Sequence, residues 1–146
     1  MIRTPTVEDI PFLYDLIHPY AGQSWQGKQV AVDKDIILES LHNVVTAKNF
    51  VAVMSDHGLA FGYYGQSWWA EPDCAVDFFY TNKPGAGREL AQAMIDGFKA
   101  RHCGWMYAGA ESDISSANNR LYQNLWKKFG FRDIGGGRMI LNLRGK

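Results

Sequence analysis

The chain has 146 residues, the length of one domain, and its 47% hydrophobic content supports a real core. Fifteen basic and fifteen acidic side chains cancel, so no bulk charge draws it to nucleic acid or anionic lipid. No charged leader precedes an apolar run at the start, and no stretch nears the ~20 apolar residues that cross a bilayer; a soluble cytoplasmic protein with no membrane partner is expected.

Ile2, Arg3 and Thr4 read as a short opening strand. Thr6 caps a helix, with Asp9 at the capping-box position and Ile10, Leu13, Leu16 and Ile17 at helical spacing. Residues 19–32, rich in Gly and Gln, read as a loop. Asp33 caps a second helix with Ile36, Ile37, Leu41, Val44 and Val45 on one side. Residues 49–55 and 59–69 are predicted strands joined by a tight turn at Asp56, His57 and Gly58. The second of them is aromatic and interrupted by Gly62 and Gly65. After a turn at 71–73, residues 74–81 are nearly continuously apolar apart from Asp77, as suits a central strand.

Residues 82–87 form a Gly/Pro loop, and 88–100 a strong helix with Leu90, Met94, Ile95 and Phe98 toward the core. Residues 105–110 make another strand. Strand, helix and strand form a βαβ unit, expected to be right-handed with parallel strands. A last helix starts at Ser115 or Ser116 and runs to about Phe129. Residues 131–134 and 138–143 close the chain as a hairpin around three glycines. The order βααββ, βαβ, αββ gives a single α/β domain over 1–146, with a mixed central sheet flanked by helices.

The loop Asn82, Lys83, Pro84, Gly85, Ala86, Gly87 carries the chemistry. It precedes a helix N-terminus, where backbone N–H groups are unpaired and the local charge is positive. Gly85 and Gly87 let the backbone approach a bulky anion, and Lys83 and Arg88 add charge. The arrangement suits a pyrophosphate. Read alone, such a loop is also a plain turn, and it lacks the endings of a P-loop or a dinucleotide fingerprint.

This loop and its surroundings resemble the GNAT N-acetyltransferases. Their cofactor motif, Gln/Arg-x-x-Gly-x-Gly/Ala, appears as Asn82-x-x-Gly85-x-Gly87. Their helix signature, Asn-x-x-Ala-x-x-Leu-Tyr-x-x-x-Gly-Phe, appears from Asn119 to Phe131, with Asn119, Leu125, Gly130 and Phe131 in place. The element order agrees from Ile2 to Leu143. Two positions depart: Asn82 replaces Gln/Arg, and Trp126 stands where the family usually carries a Tyr that acts as acid to the leaving thiolate. Indole N–H is a poor acid. Tyr122, one turn earlier on the same face, either takes that role or packs over the cofactor.

The resemblance implies a GNAT-like acyl-CoA N-acyltransferase fold and an N-acetyltransferase. An acetyl group would move from acetyl-CoA to a primary amine of a small molecule or protein by direct attack in a ternary complex. Acetyl-CoA would lie where strands 74–81 and 105–110 splay, held by Phe79, Tyr80, Thr81, the 82–88 loop, Asn119, Tyr122 and Trp126. A backbone N–H of Phe79 or Tyr80 would polarise the thioester carbonyl. Asp77 or Glu111 could take the amine proton, or each could be structural. Tyr20, Gln23, Trp25 and Gln26, then Tyr64, Trp68 and Trp69, would shape the acceptor side. Trp68 and Trp69 point to opposite faces of a regular strand, so at most one lines the cleft and the other would join the core or a homodimer contact. Two further readings follow: a catalytically silent CoA-binding or regulatory protein, motivated by Trp126 and Asn82, and an enzyme acetylating aminoacyl-tRNA, which the neutral charge disfavours.

No metal is expected, because His18, His42, His57 and His102 lack ligand spacing and read as surface or turn residues. Cys74 and Cys103 fit neither a disulfide framework nor a metal pair. They read as buried free thiols, with a bridge between neighbouring strands as the other option.

Overall fold

The computed structural model describes residues 1–23, 32–67, 71–109, 116–135 and 138–144, with backbone alone at 22–23 and 116–120. Its strands are β1 (Phe50–Ser55), β2 (Gly58–Gly65), β3 (Asp73–Thr81), β4 (Trp105–Gly109), β5 (Arg132–Gly135) and β6 (Arg138–Asn142). Its helices are α1 (Ile10–Gln23), entered through a 3-10 turn at Val7–Asp9, then α2 (Lys34–Thr46), α3 (Gly87–Ala100) and α4 (Ser116–Lys128). The sheet runs β1-β2-β3-β4-β6-β5. β3 and β4 pair parallel, as a helix crossover requires, and the other neighbours pair antiparallel.

The two faces of the sheet have separate cores. On one, α3 buries Leu90, Ala91, Met94, Ile95 and Phe98 against Val51, Val53, Ala60, Cys74 and Met106. Those α3 positions recur at helical spacing, and each large apolar side chain so buried contributes roughly 1.5–3 kcal/mol. α4 joins this core through Tyr122 and Trp126. On the other face, Leu13, Leu16 and Ile17 of α1 and Leu41 of α2 cover Met54 and Leu59, with Phe61, Phe78 and Tyr80 packed alongside.

Sequence-level expectations hold for the order of elements and fail at several edges. The opening strand reduces to one antiparallel bridge, Arg3 to Met54. The Arg3 guanidinium instead pairs with Asp9, whose carboxylate also accepts the Thr6 N–H at 2.8 Å, tying the first residues to the helix start. The expected loop at 19–32 begins as helix, because α1 continues through Pro19 to Gln23. Tyr20 packs on Phe78 and Tyr80, with ring centroids 5.7 and 5.1 Å apart; tertiary contact outweighs the helix-breaking tendency of proline. Asp33 caps α2 as expected, accepting the N–H groups of Asp35 and Ile36. Ile36, however, is 63% exposed, since Ile37, Leu41 and Val44 form the inward stripe.

Both C-terminal ends on the α3 and α4 face close by the same device. At α4, Phe131 N–H reaches the Trp126 carbonyl and Gly130 N–H that of Lys127, with Gly130 at φ +97°. At α3, Cys103 bonds back to Phe98 and His102 to Lys99, with His102 at φ +62°. These are Schellman ends, and each wants a residue in the left-handed region.

Candidate functional site

The β3–β4 ladder covers only Asp73, Cys74 and Ala75 against Trp105, Met106 and Tyr107. Beyond it the two strands part. The cause lies on the other edge of β3, where the register with β2 shifts between Phe61 and Gly62 and leaves Asp77 as an extra residue. Such a bulge bends its strand and increases the twist.

The bulge also decides which backbone groups face the gap. Asn82 N–H bonds to the His57 carbonyl at 2.9 Å. By the alternation of an antiparallel ladder, Tyr80 and Phe78 then turn their N–H groups toward β2, and Phe79 and Thr81 turn theirs away from it. Of the two candidate donors to a thioester carbonyl, Phe79 faces the opening and Tyr80 does not. The Tyr80 ring lies on the α1–α2 face.

At the end of β3 the loop makes a turn, with Ala86 N–H on the Lys83 carbonyl at 3.2 Å. Gly85 has φ +87° and open space around the position of a Cβ. Two amides of the stretch are therefore engaged, those of Asn82 and Ala86. The N–H groups of Gly87 and Arg88 belong to the first turn of α3, ahead of Leu90, the first residue with a carbonyl four back to bond inside the helix. Lys83 and Arg88 are exposed, and neither forms an ion pair among the described residues. Arg88 also lines an open groove with Gln92 and Phe129. A Cβ on Gly87 would stand 3.3 Å from Leu125 and 3.4 Å from Phe79, so this glycine also sets how closely α3 meets α4.

Asn82 differs from its expected part. Its side-chain oxygen lies 3.2 Å from His57 Nδ1, and its N–H is spent on the same residue. It anchors the loop to the β1–β2 turn. Sequence reasoning placed His57 at a turn and missed this role; the only available signal was the matched Asn and His at two adjacent turns.

Across the gap, Tyr122 and Trp126 of α4 pack on Phe79, with centroids 5.7 and 5.4 Å away. Trp126 is fully buried, and its Nε1–H has no partner among the described residues. A buried donor left unpaired costs about 1–3 kcal/mol. Phe131 stacks edge-on against the same indole at 5.1 Å, which explains the Gly-Phe pair physically: Gly130 turns the chain and Phe131 seals the ring.

Other predicted residues are distributed as follows. Asp77 is exposed at the bulge, not enclosed in a central strand, because β4 has already left β3 there. Tyr64 pairs in register with Cys74, seven residues and about 20 Å of strand from Thr81. Its hydroxyl donates to the Lys48 carbonyl at 2.9 Å and Arg101 sits over its ring, so the structure does not bring it to the loop. Tyr20, by contrast, reaches the loop end of β3 through Tyr80. Trp25, Gln26, Trp68, Trp69 and Glu111, and the side chains of Gln23 and Asn119, lie outside the described residues. Cys74 and Cys103 are free and buried; the Cys74 thiol donates to the Trp105 carbonyl, and burial pushes both thiols up. Among the described residues no three His, Cys, Asp or Glu side chains are grouped to share a metal ion. Nor is any described helix long and apolar enough to cross a membrane.

No protein-family model matches the chain, and no curated protein does. Solved structures do. An acetyltransferase of the GNAT family from Streptococcus pneumoniae superposes with a TM-score of 0.72 at 14% identity, over 97% of this chain and 98% of that one. The chain carries the GNAT acetyltransferase fold. An aminoglycoside N-acetyltransferase matches at 0.69 and 19% identity, over 99% and 97% of the two chains. The NatC complex bound to Gag peptide and CoA matches at 0.67 and 10% identity, over 97% of each chain.

Proposed function

We propose that the chain is an acetyl-CoA-dependent N-acetyltransferase and that it acts as a single domain. The observation that carries this reading is the coincidence of three features at one end of β3. They are the strand gap, the loop with free first-turn amides, and an aromatic wall holding an unpaired buried donor. Acetyl-CoA would supply an acetyl group already activated as a thioester. Gly87 and Arg88 amides, with the Lys83 and Arg88 side chains, would hold its diphosphate. Phe79 N–H would bond the thioester carbonyl as a single fixed donor.

The acceptor would be a primary amine entering from the α1 side, where Tyr20 and Tyr80 stand. The solved structures that share the fold include one named for aminoglycosides and one holding a peptide, so both small-molecule and protein amines belong in a substrate panel. Asp77, an exposed carboxylate at the β3 bulge, would relay a proton from the amine.

Calorimetry with CoA tests the site. Wild type should bind, and a Lys83→Glu, Arg88→Glu variant should lose at least tenfold in affinity, since both side chains are exposed and the reversal leaves packing intact. Equal affinity in the two proteins would remove the loop from the reading. Trp126 in place of a phenol favours a second reading, a CoA-binding protein without turnover. Thiol release from acetyl-CoA across an amine panel separates the two: release that falls in Tyr122→Phe while CoA affinity holds supports the enzyme, and binding with no release for any amine supports the silent protein.

A further inference from the structure

The Trp126 Nε1–H stands out because an indole nitrogen only donates, and no acceptor meets it among the described residues. Its neighbours are rings: Phe79 at 5.4 Å, Tyr122 at 6.0 Å and Phe131 at 5.1 Å. Phe79 belongs to the half of β3 that β4 has left. The indole thus lies behind the wall of the strand gap, held by the backbone bonds that end α4 at Trp126 and Lys127. A rigid, buried donor left unpaired next to a binding gap is what a site has before its acceptor arrives.

Resting on the thioester-nucleotide reading above, we propose that Trp126 Nε1–H donates a hydrogen bond to a carbonyl oxygen of the pantetheine arm. The ring has no exposed surface, so the Tyr122 or Phe79 ring swings aside as the arm enters. A carbonyl is the partner because sulfur accepts weakly. Trp126 then serves to bind and align the arm and transfers no proton.

Two ligands separate this contact from the rest of the site: CoA, and adenosine 3′-phosphate 5′-diphosphate, which has the phosphates but no arm. In nitrogen-15 NMR spectra the arm-free nucleotide should move the backbone amides of residues 83–88 and leave the Trp126 indole signal in place. CoA should move both, with the indole proton going downfield as it gains an acceptor. In calorimetry Trp126→Phe should weaken CoA about tenfold, the worth of one hydrogen bond, and leave the arm-free nucleotide unchanged. The indole shift in wild type is decisive even where that variant folds poorly. If CoA moves the loop amides and not the indole, this assignment falls and the nucleotide site stands. If neither ligand moves the loop, the cofactor reading fails and takes this contact with it.

Discussion

Gly62→Ala probes the bulge that parts β3 from β4. A Cβ at this position would lie 2.1 Å from the Ala75 carbonyl oxygen and 3.0 Å from the Phe98 ring. Carbon and carbonyl oxygen do not approach closer than about 3.3 Å without cost, so β2 and β3 must separate by about 1 Å where they pair. Losing two ladder hydrogen bonds costs about 1 kcal/mol each, and overpacking against Phe98 adds about 1–3 kcal/mol. The expected loss is about 3–5 kcal/mol, a large share of the ~5–15 kcal/mol that holds a domain together. Urea unfolding followed by far-ultraviolet dichroism measures it. Gly65→Ala is the matched control, because no atom lies within 4 Å of its Cβ position; it should be neutral or more stable by up to about 1 kcal/mol, since alanine loses less backbone entropy. A Gly62→Ala protein within about 1 kcal/mol of wild type would refute the claim that close strand approach at Gly62 supports the bulge.

Four other substitutions have definite expected outcomes. The Arg3 guanidinium, then the Thr6 N–H, hold the Asp9 carboxyl down at about 2, below its unfolded value near 3.9. The lowered native value means the pair stabilises the fold fully above about pH 4 and stops doing so as pH falls through 2; the margin of wild type over Asp9→Asn in urea titrations should shrink across that window, and a constant margin from pH 5 to 2.5 contradicts the pairing. His102 sits at φ +62° at the end of α3, so His102→Gly should raise stability by about 0.5–1 kcal/mol, and a lower melting temperature counts against the assigned strain. Gly87→Ala should unfold within about 1 kcal/mol of wild type, because the Leu125 methyl group at 3.3 Å can turn away. Gly87→Glu should abolish CoA binding in calorimetry, because its carboxylate must enter either the apolar contact of Leu125 and Phe79 or the anion seat; retained affinity in a folded protein rules out that seat.

The sequence made the larger elements legible because their signals are local. α3 shows its inward face in the spacing of Leu90, Met94 and Phe98, and Asp33 announces α2. The two spaced motifs pointed to the loop and to α4, and both lie at the strand gap. Errors arose where distant contacts decide. Pro19 sits inside a helix because Tyr20 finds Phe78 and Tyr80. Asp77 looked like a charge in a buried strand, yet the β2 register shift exposes it. Asn82 looked like a weakened ligand contact, and its bond to His57 makes it an anchor. Tyr64 carried the right chemistry for an acceptor pocket, but strand register puts it at the far end of β3.

Phe79 links these features, and its position explains why a bulge matters more to this fold than any one polar side chain. Its N–H turns toward the gap only because one extra residue, Asp77, has shifted the alternation of β3. Its ring touches the Tyr122 and Trp126 rings of α4 and would meet any side chain grown from Gly87. A strand without the bulge would keep pairing with β4 and close the gap. It would also send the ring of residue 79 to the α1–α2 face and turn residues 78 and 80 toward α4 in its place. The same local irregularity therefore opens the space, aims the donor and selects Phe79 as the ring that packs on α4.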